Sequence, residues 1–197
     1  MNTISAMGIL LASGSPRRRE ILSSLGYEFD VVIPDLDERN IPGERPEDHV
    51  RRLSLAKAQF VAHRHSNDLV IGADTIVVLG DAILGKPSSP EEAVSMLSML
   101  SGKAHTVFTG LSLVNLDQRI AASDYDSTEV IFNDLRPEDI RRYVESGEPS
   151  DKAGAYGIQG MGSFLVHRYY GELDTIIGFP TKLFKKMLQE VTSCHNP

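Results

Sequence analysis

The chain reads as a mixed α/β fold in which a twisted sheet is flanked by helices and leaves a cleft at the strand ends. Three observations carry that reading. Apolar runs of strand length alternate irregularly with segments of helical period, proline-marked helix starts recur at Pro16, Pro46, Pro90 and Pro137, and no repeat, low-complexity tract or linker divides the 197 residues. Residues 1–197 are therefore expected to form a single domain with two lobes, ending in a polar tail from about residue 193 to 197.

Ile9 to Leu11 reads as the first strand. Ser15 suits a helix N-cap and Pro16 the first helical position, so a helix is expected from there to about Leu25, closed by Gly26. Phe29 to Ile33 follows as a strand and Pro34-Asp35-Leu36-Asp37-Glu38-Arg39 as a charged loop. Pro46 opens a long helix to about Ala62 with Val50, Leu53, Phe60 and Val61 on its apolar face. Lys57, seven residues after Val50 and four before Val61, points the same way. Asp68 to Leu79 is a buried strand expected to turn or bulge at Gly72-Ala73-Asp74-Thr75. Ser89-Pro90-Glu91-Glu92 is a capping box leading a helix to about Leu100, stopped by Gly102. Strands at His105–Val114 and Thr128–Phe132, a helix from Pro137 to Gly147, a strand at Phe164–Tyr170 and a helix at Thr181–Val191 complete the order.

Composition narrows the function classes. A hydrophobic fraction of 41% and a charged fraction of 24% are those of a globular protein, which excludes disordered and fibrous classes. The one cysteine, Cys194, sits in the polar tail, so neither a disulfide framework nor a cysteine-ligated metal is available and a reducing compartment is expected. Apolar runs are too short to cross a membrane, the N-terminus is a poor signal peptide, and the protein is read as cytoplasmic with no membrane partner. A net charge of −7 argues against nucleic-acid binding. Any polyanion must find a local basic pocket.

Ala12-Ser13-Gly14-Ser15-Pro16-Arg17-Arg18-Arg19 has the chemistry of such a pocket. It puts three arginines in a first helical turn, where the dipole makes each cation cost roughly 0.3–1 kcal/mol unless an anion is bound. Gly14 permits close backbone approach, serine hydroxyls donate, and guanidinium forks match phosphate oxygens. The same residues also fit an ordinary cap with solvated arginines. There is no Gly-x-x-x-x-Gly-Lys-Ser/Thr, so a P-loop kinase or ATPase is disfavoured. Asp74 interrupts an apolar run, where a carboxylate is expensive unless paired; it is either a structural acid of a bulge or a metal ligand or general base. Lys57 and Lys86 are candidate clamps on phosphate oxygens, or, respectively, a snorkelling helix lysine and a loop lysine before Pro87. Glu148 to Gly160 combines charge, glycines and the Gln159 amide, which fits a ligand loop or an irregular surface loop. The six histidines have no metal-site spacing, and neither a zinc-hydrolase motif nor a nucleophile elbow is present.

With these residues in hand, the chain resembles the Maf family of nucleoside triphosphate pyrophosphatases nearly end to end. The matching blocks are Ala12 to Arg18, Glu38, Leu55-Ala56-Lys57-Ala58, Gly72-Ala73-Asp74-Thr75, Gly85-Lys86-Pro87, Ser101-Gly102 with His105 and Thr109, Glu148-Pro149, Asp151 to Gly160, and Gly178-Phe179-Pro180. Phe179 departs by standing where the family has leucine. The resemblance implies an elongated sheet similar to the ITP pyrophosphatase architecture, a homodimer, and hydrolysis of a nucleoside triphosphate to the monophosphate and pyrophosphate with Mg²⁺ or Mn²⁺. It implies that Asp74 accepts a proton from the attacking water. The chemistry of the residues agrees: Arg17, Arg18, Lys57 and Lys86 supply positive charge, and Glu38 with Asp74 can hold metal, with either carboxylate open to touch the metal or to activate the water. Ser13, Arg17, Arg18, Thr75, Asp151, Lys152 and Gln159 are implied in substrate binding and specificity.

The segment ending Tyr156-Gly157-Ile158-Gln159-Gly160 is similar to the dTTP/UTP branch; the 7-methyl-GTP branch has glutamate in place of Gln159. The difference has a physical basis. A glutamine amide accepts from N3–H and donates to O4 of thymine or uracil, whereas a carboxylate only accepts and suits guanine. A 7-methyl-GTP enzyme and a non-catalytic nucleotide-binding regulator, in which Asp74 is structural, are the competing readings.

Overall fold

The computed structural model describes residues 7–39 and 41–193. Cys194 and the rest of the expected polar tail after Ser193 lie outside the described residues. In chain order the elements are β1 (Ile9–Ala12), α1 (Pro16–Ser24), β2 (Asp30–Val31), α2 (Pro46–Ala62), β3 (Leu69–Leu79), β4 (Ala82–Leu84), α3 (Pro90–Leu100), β5 (Ala104–Asn115), β6 (Ile120–Phe132), α4 (Pro137–Glu145), β7 (Val166–Tyr170), α5 (Leu173–Ile177) and α6 (Thr181–Ser193). Three 3-10 turns lie between α4 and β7. The strands form a mixed sheet in the order β2-β1-β3-β5-β6-β7, with β4 on β3; β1 pairs in parallel with β2 and β3, while β4 and β7 pair antiparallel with β3 and β6. The expected mixed α/β sheet is therefore present. The chain divides into two compact units, the second comprising Thr75–Phe108 and Ser127–Ile177 and the first comprising the remainder.

In the first unit, both sheet faces are covered, as parallel strands require. Ile9, Leu11, Leu69, Ile71 and Ala73 face one way, into a core with Leu22 of α1 and Phe184, Met187 and Leu188 of α6. Leu10, Ala12 and Val70 face the other way, against Ala58, Val61 and Ala62 of α2. Helix α2 lies unusually close to the sheet because two strand residues lack a Cβ. At Gly72 a Cβ would fall 2.1 Å from the Ser54 carbonyl oxygen, and at Gly110 it would fall 2.3 Å from that of Val50. Strand β3 accordingly runs unbroken through Gly72, where the sequence predicts a bulge. The glycine marks a close approach rather than a break. A Gly72→Ala substitution forces α2 outward and is expected to cost about 1–3 kcal/mol, read as a lower denaturant midpoint together with lost turnover; a wild-type midpoint contradicts the packing.

Other differences have similarly local causes. Strand β2 is confined to Asp30–Val31 instead of Phe29–Ile33, since only Leu10 and Leu11 offer it partners. Strand β6 begins at Ile120, earlier than the expected Thr128, because the polar run Ser123 to Ser127 hides its alternation. Phe164 and Leu165 belong to a 3-10 turn rather than to β7. The capping box is half made: Ser89 accepts from the Glu92 N–H at 3.2 Å, but the Glu92 carboxylate accepts from the Ser88 N–H instead of reaching back to Ser89.

The second unit is centred on α3, whose Ala93, Met96, Leu97 and Leu100 pack with Val77, Val107, Val130, Phe132, Ile140 and Tyr143. His105 belongs to this core. Its ring stacks edge-on against Phe132 and Tyr156, with centroids 4.8 and 5.4 Å away, and its Nε2 is 2.8 Å from the Tyr156 hydroxyl. Burial pushes the His105 imidazole down to about 4. The unfolded chain takes up that proton near the ordinary value of about 6.5, so the folded state's stability is intact above that pH and falls as pH drops toward 4. The expected loss is about 3 kcal/mol. Chemical unfolding of wild type and His105→Gln between pH 7 and 4 checks this: the variant should lose the steeper part of the dependence, and parallel curves contradict it.

Candidate active site

Helix α2 and strand β3 together build the centre of the first unit. The close approach at Gly72 brings Lys57 Nζ to 2.6 Å from Asp74 Oδ1, with both side chains less than a tenth exposed. The same ammonium is 3.0 Å from Glu38 Oε1, which is about half exposed. One buried cation thus lies between two carboxylates. Asp74 Oδ2 is buried with no hydrogen-bond partner among the described residues. An unpaired buried carboxylate oxygen is costly, on the order of 1–3 kcal/mol or more, which marks it as a position awaiting a water or a cation. Among the described residues no three His, Cys, Asp or Glu side chains form a closed metal cluster. A Mg²⁺-type ion needs no such cluster, because it keeps its waters and takes one or two carboxylates plus substrate phosphate. Glu38 and the free Asp74 oxygen fit that donor set.

The loop carrying Glu38 is tied to α2 by charge. Glu44 takes a bidentate grip from Arg52, at 2.6 and 2.7 Å, and accepts from His49 at 3.0 Å; Arg52 also donates to the Arg39 carbonyl at 3.3 Å. Arg52 accordingly holds the Glu44 carboxyl below its ordinary range, the larger effect over its burial. Sequence reading missed this trio. Its components lie within a helical turn or a short loop of one another, but nothing in their spacing says that they converge on one carboxylate.

Around β1 and α1, Ser15 caps the helix as expected, accepting from the Arg18 N–H at 3.5 Å, and no acid lies in the first turn. Ser13 is buried, its hydroxyl accepting from the Ser15 N–H and from Arg18 Nη1 at 3.2 and 3.1 Å. Arg18 is half-buried and directed into the protein, donating from Nη1 to the Ala73 carbonyl and from Nε to that of Gly178, both at 2.9 Å. Burial pulls its guanidinium below the ordinary value, aided by Arg17 and opposed by Asp74 and Glu38. Arg17 is half-buried and Arg19 exposed. Arg18 therefore ties the first turn of α1 to the residue preceding Asp74.

The remaining sequence-predicted residues belong to the second unit. Thr75 is half-buried in β3. Lys86 is exposed and makes no ion pair with another described residue. Its neighbour Gly85 accepts from the Gly154 N–H at 2.9 Å, which sets Lys86 beside the segment from 148 to 160. Gly154 needs its left-handed φ of +64°, and a Cβ there would press on Val77 at 2.9 Å. Lys152 is mostly buried, donating to the Glu148 carbonyl at 2.6 Å and to the half-exposed Asp151 at 2.8 Å. Gln159 is exposed and makes no hydrogen bond with another described residue. A pocket of about 250 Å³ lined by Asp139, Arg142, Tyr143, Met161 and Phe164 contains none of the sequence-predicted residues.

Comparison with known proteins gives the chain's relatives. A family model described as Maf-like protein matches residues 8–191. A dTTP/UTP pyrophosphatase of Clostridioides difficile (strain 630) is 45% identical over 187 residues, 95% of this chain and 96% of that protein. One from Vibrio parahaemolyticus is 44% identical over 94% of this chain and 97% of its own length, and one from Geotalea uraniireducens is 47% identical over 87% and 89%. A solved structure of the Staphylococcus aureus Ham1 protein aligns over 94% of this chain and 96% of that chain, with a TM-score of 0.47 and 13% identity. The length of the family match and the level of identity with these relatives lead to one conclusion: this chain belongs to the Maf family.

Proposed function

We propose that this chain hydrolyses dTTP and UTP between the α and β phosphates, releasing the nucleoside monophosphate and pyrophosphate and so clearing such nucleotides from the pool. The observation that carries the reading is the Lys57 ammonium set between Asp74 and Glu38, with Asp74 Oδ2 buried and unpartnered. The names of the similar proteins supply the base preference. Asp74 takes the proton of the attacking water, and Lys57 keeps its carboxylate oriented through Oδ1. Arg17, the N–H groups at the start of α1 and the Lys86 ammonium stabilise charge on the phosphates. Arg18, with Ser13, holds the α1 turn against the Ala73 carbonyl and so fixes the strand beside Asp74.

Glu38 and Asp74 would hold a divalent ion, Mg²⁺ or Mn²⁺. Such an ion, when bound, neutralises phosphate charge and lowers the pKa of water. Gln159 and Thr75 contribute base selection, and Lys152 with Asp151 supports the loop that carries Gln159. The enzyme is proposed to work as a homodimer in the cytoplasm, in keeping with its family resemblance and lone cysteine; no described helix is long and apolar enough to cross a membrane. Pyrophosphate release from dTTP, UTP, CTP and 7-methyl-GTP, with and without Mn²⁺, tests the reading. Release from dTTP and UTP that depends on the ion supports it. Preference for 7-methyl-GTP moves the chain to the other branch, and no release at all leaves a binding protein. Gln159→Glu should lower kcat/KM for dTTP and UTP by roughly 10-fold or more, as expected when a base's hydrogen-bond partner is inverted, while inhibition by pyrophosphate stays unchanged. Unaltered kcat/KM for both substrates refutes the role of Gln159.

A further inference from the structure

Gln159 lies at the middle of a five-residue span, Gly157 to Met161, whose two ends are held by one pair of side chains. Tyr143 of α4, almost fully buried, accepts the Gly157 N–H at 3.1 Å and donates its hydroxyl proton to Glu148 Oε1 at 3.0 Å. Glu148 Oε2 accepts the Met161 N–H at 3.1 Å. Both carboxylate oxygens and both functions of the hydroxyl are therefore engaged within one loop. Burial, before any other influence, pushes the Tyr143 phenol up, so it stays protonated as a donor.

The glycines show how tightly the span is closed. A Cβ at Gly157 would meet Lys152 Cε at 2.8 Å, one at Gly160 would meet Glu148 Oε2 at 3.2 Å, and one at Gly162 would meet the Gly157 carbonyl oxygen at 2.2 Å. Gly160 also has a φ of +68°, the left-handed conformation that the turn back toward Glu148 requires. Between the two anchors the Gln159 side chain itself is exposed and bonded to no described residue.

This matters because a glutamine amide is ambiguous. Turned by half a revolution it presents donor and acceptor exchanged, and so matches cytosine as well as it matches uracil or thymine. That rotation belongs to the side chain and is set by the base it meets. The amide reads either edge only from a fixed distance and angle, however, and these are set by the carrier backbone held on both sides. We propose that Tyr143 and Glu148 are positioning residues for pyrimidine discrimination: by clamping the backbone at Gly157 and Met161, they hold Gln159 at the place from which its amide reads the base edge, so that loosening the clamp weakens whatever discrimination Gln159 provides. The inference rests on the base-reading role of Gln159 given above.

The test measures kcat and KM for UTP and CTP in wild type, Tyr143→Phe, Glu148→Ala, Glu148→Gln and Gln159→Ala, with thermal unfolding in parallel. Tyr143→Phe keeps the buried ring, including its edge contact with Phe164 at 6.0 Å, so it retains the packing of α4. In Tyr143→Phe and Glu148→Ala the ratio of kcat/KM for UTP over CTP should fall about 10-fold. The fall should come from a raised KM for UTP, with kcat within about threefold of wild type. Glu148→Gln keeps an acceptor for the Met161 N–H and should fall between wild type and Glu148→Ala. An unchanged ratio in folded Tyr143→Phe while Gln159→Ala loses discrimination overturns the clamp and leaves the base-reading role standing. A uniform drop for both substrates marks a merely structural role and overturns it too. Failure of Gln159→Ala to alter the ratio overturns the base-reading role, and the clamp with it.

Discussion

Asp74→Asn is expected to lower kcat by about 10²–10⁴-fold, the range lost when a positioned proton acceptor is removed, while the protein stays folded. The amide keeps an oxygen for the Lys57 ammonium, now at Oδ1 only, and its nitrogen occupies the place of the unpartnered Oδ2. It fills the same space in β3 between Ala73 and Thr75. What it lacks is an oxygen able to take a proton or share a cation at that buried position. Circular dichroism and thermal unfolding should match wild type closely, because Lys57 retains Glu38 as a partner. Near-normal turnover in a folded Asp74→Asn protein would remove Asp74 from the chemistry and leave it as a structural acid.

Lys57→Met is expected to damage both stability and activity. Removing one member of a buried pair leaves the other uncompensated, at a cost of about 3–5 kcal/mol. Here the loss strands Asp74, which is 5% exposed, and leaves Glu38 without its cation. Methionine fills most of the lysine's volume, so the effect reports charge more than packing. Combining Lys57→Met with Asp74→Asn should restore at least about 1 kcal/mol of that stability, since contacting residues couple by about 0.5–3 kcal/mol, yet restore no turnover. Denaturant unfolding of the two single variants and the double variant measures the coupling. Strictly additive losses contradict a direct pair.

Much of this site was legible because local chemistry marked it. Pro16, Pro46, Pro90 and Pro137 each occupy the first helical position. Lys57 was placed on the apolar face of α2 by spacing alone, and it is buried there. Asp74 was conspicuous as a carboxylate in an apolar run. What the sequence did not show is what glycine does at position 72. The same residue fits a bulge and a close helix approach, and only the position of the Ser54 carbonyl distinguishes them. Arg18 is a parallel case. Its motif suggests a phosphate fork; that it also donates to backbone carbonyls 55 and 160 residues away in the chain lies beyond the reach of any local pattern. The Tyr143–Glu148 pair is close in sequence, yet its purpose lies in the 3-10 turns that bring Gly157 and Met161 to it. Turns held by side chains have no period to read.

The most direct measurement is the identity of the products from UTP, resolved by chromatography after turnover by wild type and by Asp74→Asn in the presence and absence of Mg²⁺ or Mn²⁺. Hydrolysis between the α and β phosphates predicts UMP and pyrophosphate in equal amounts, dependent on the divalent ion and nearly absent in Asp74→Asn. Formation of UDP and inorganic phosphate, or equal amounts of UMP from wild type and Asp74→Asn, contradicts the account.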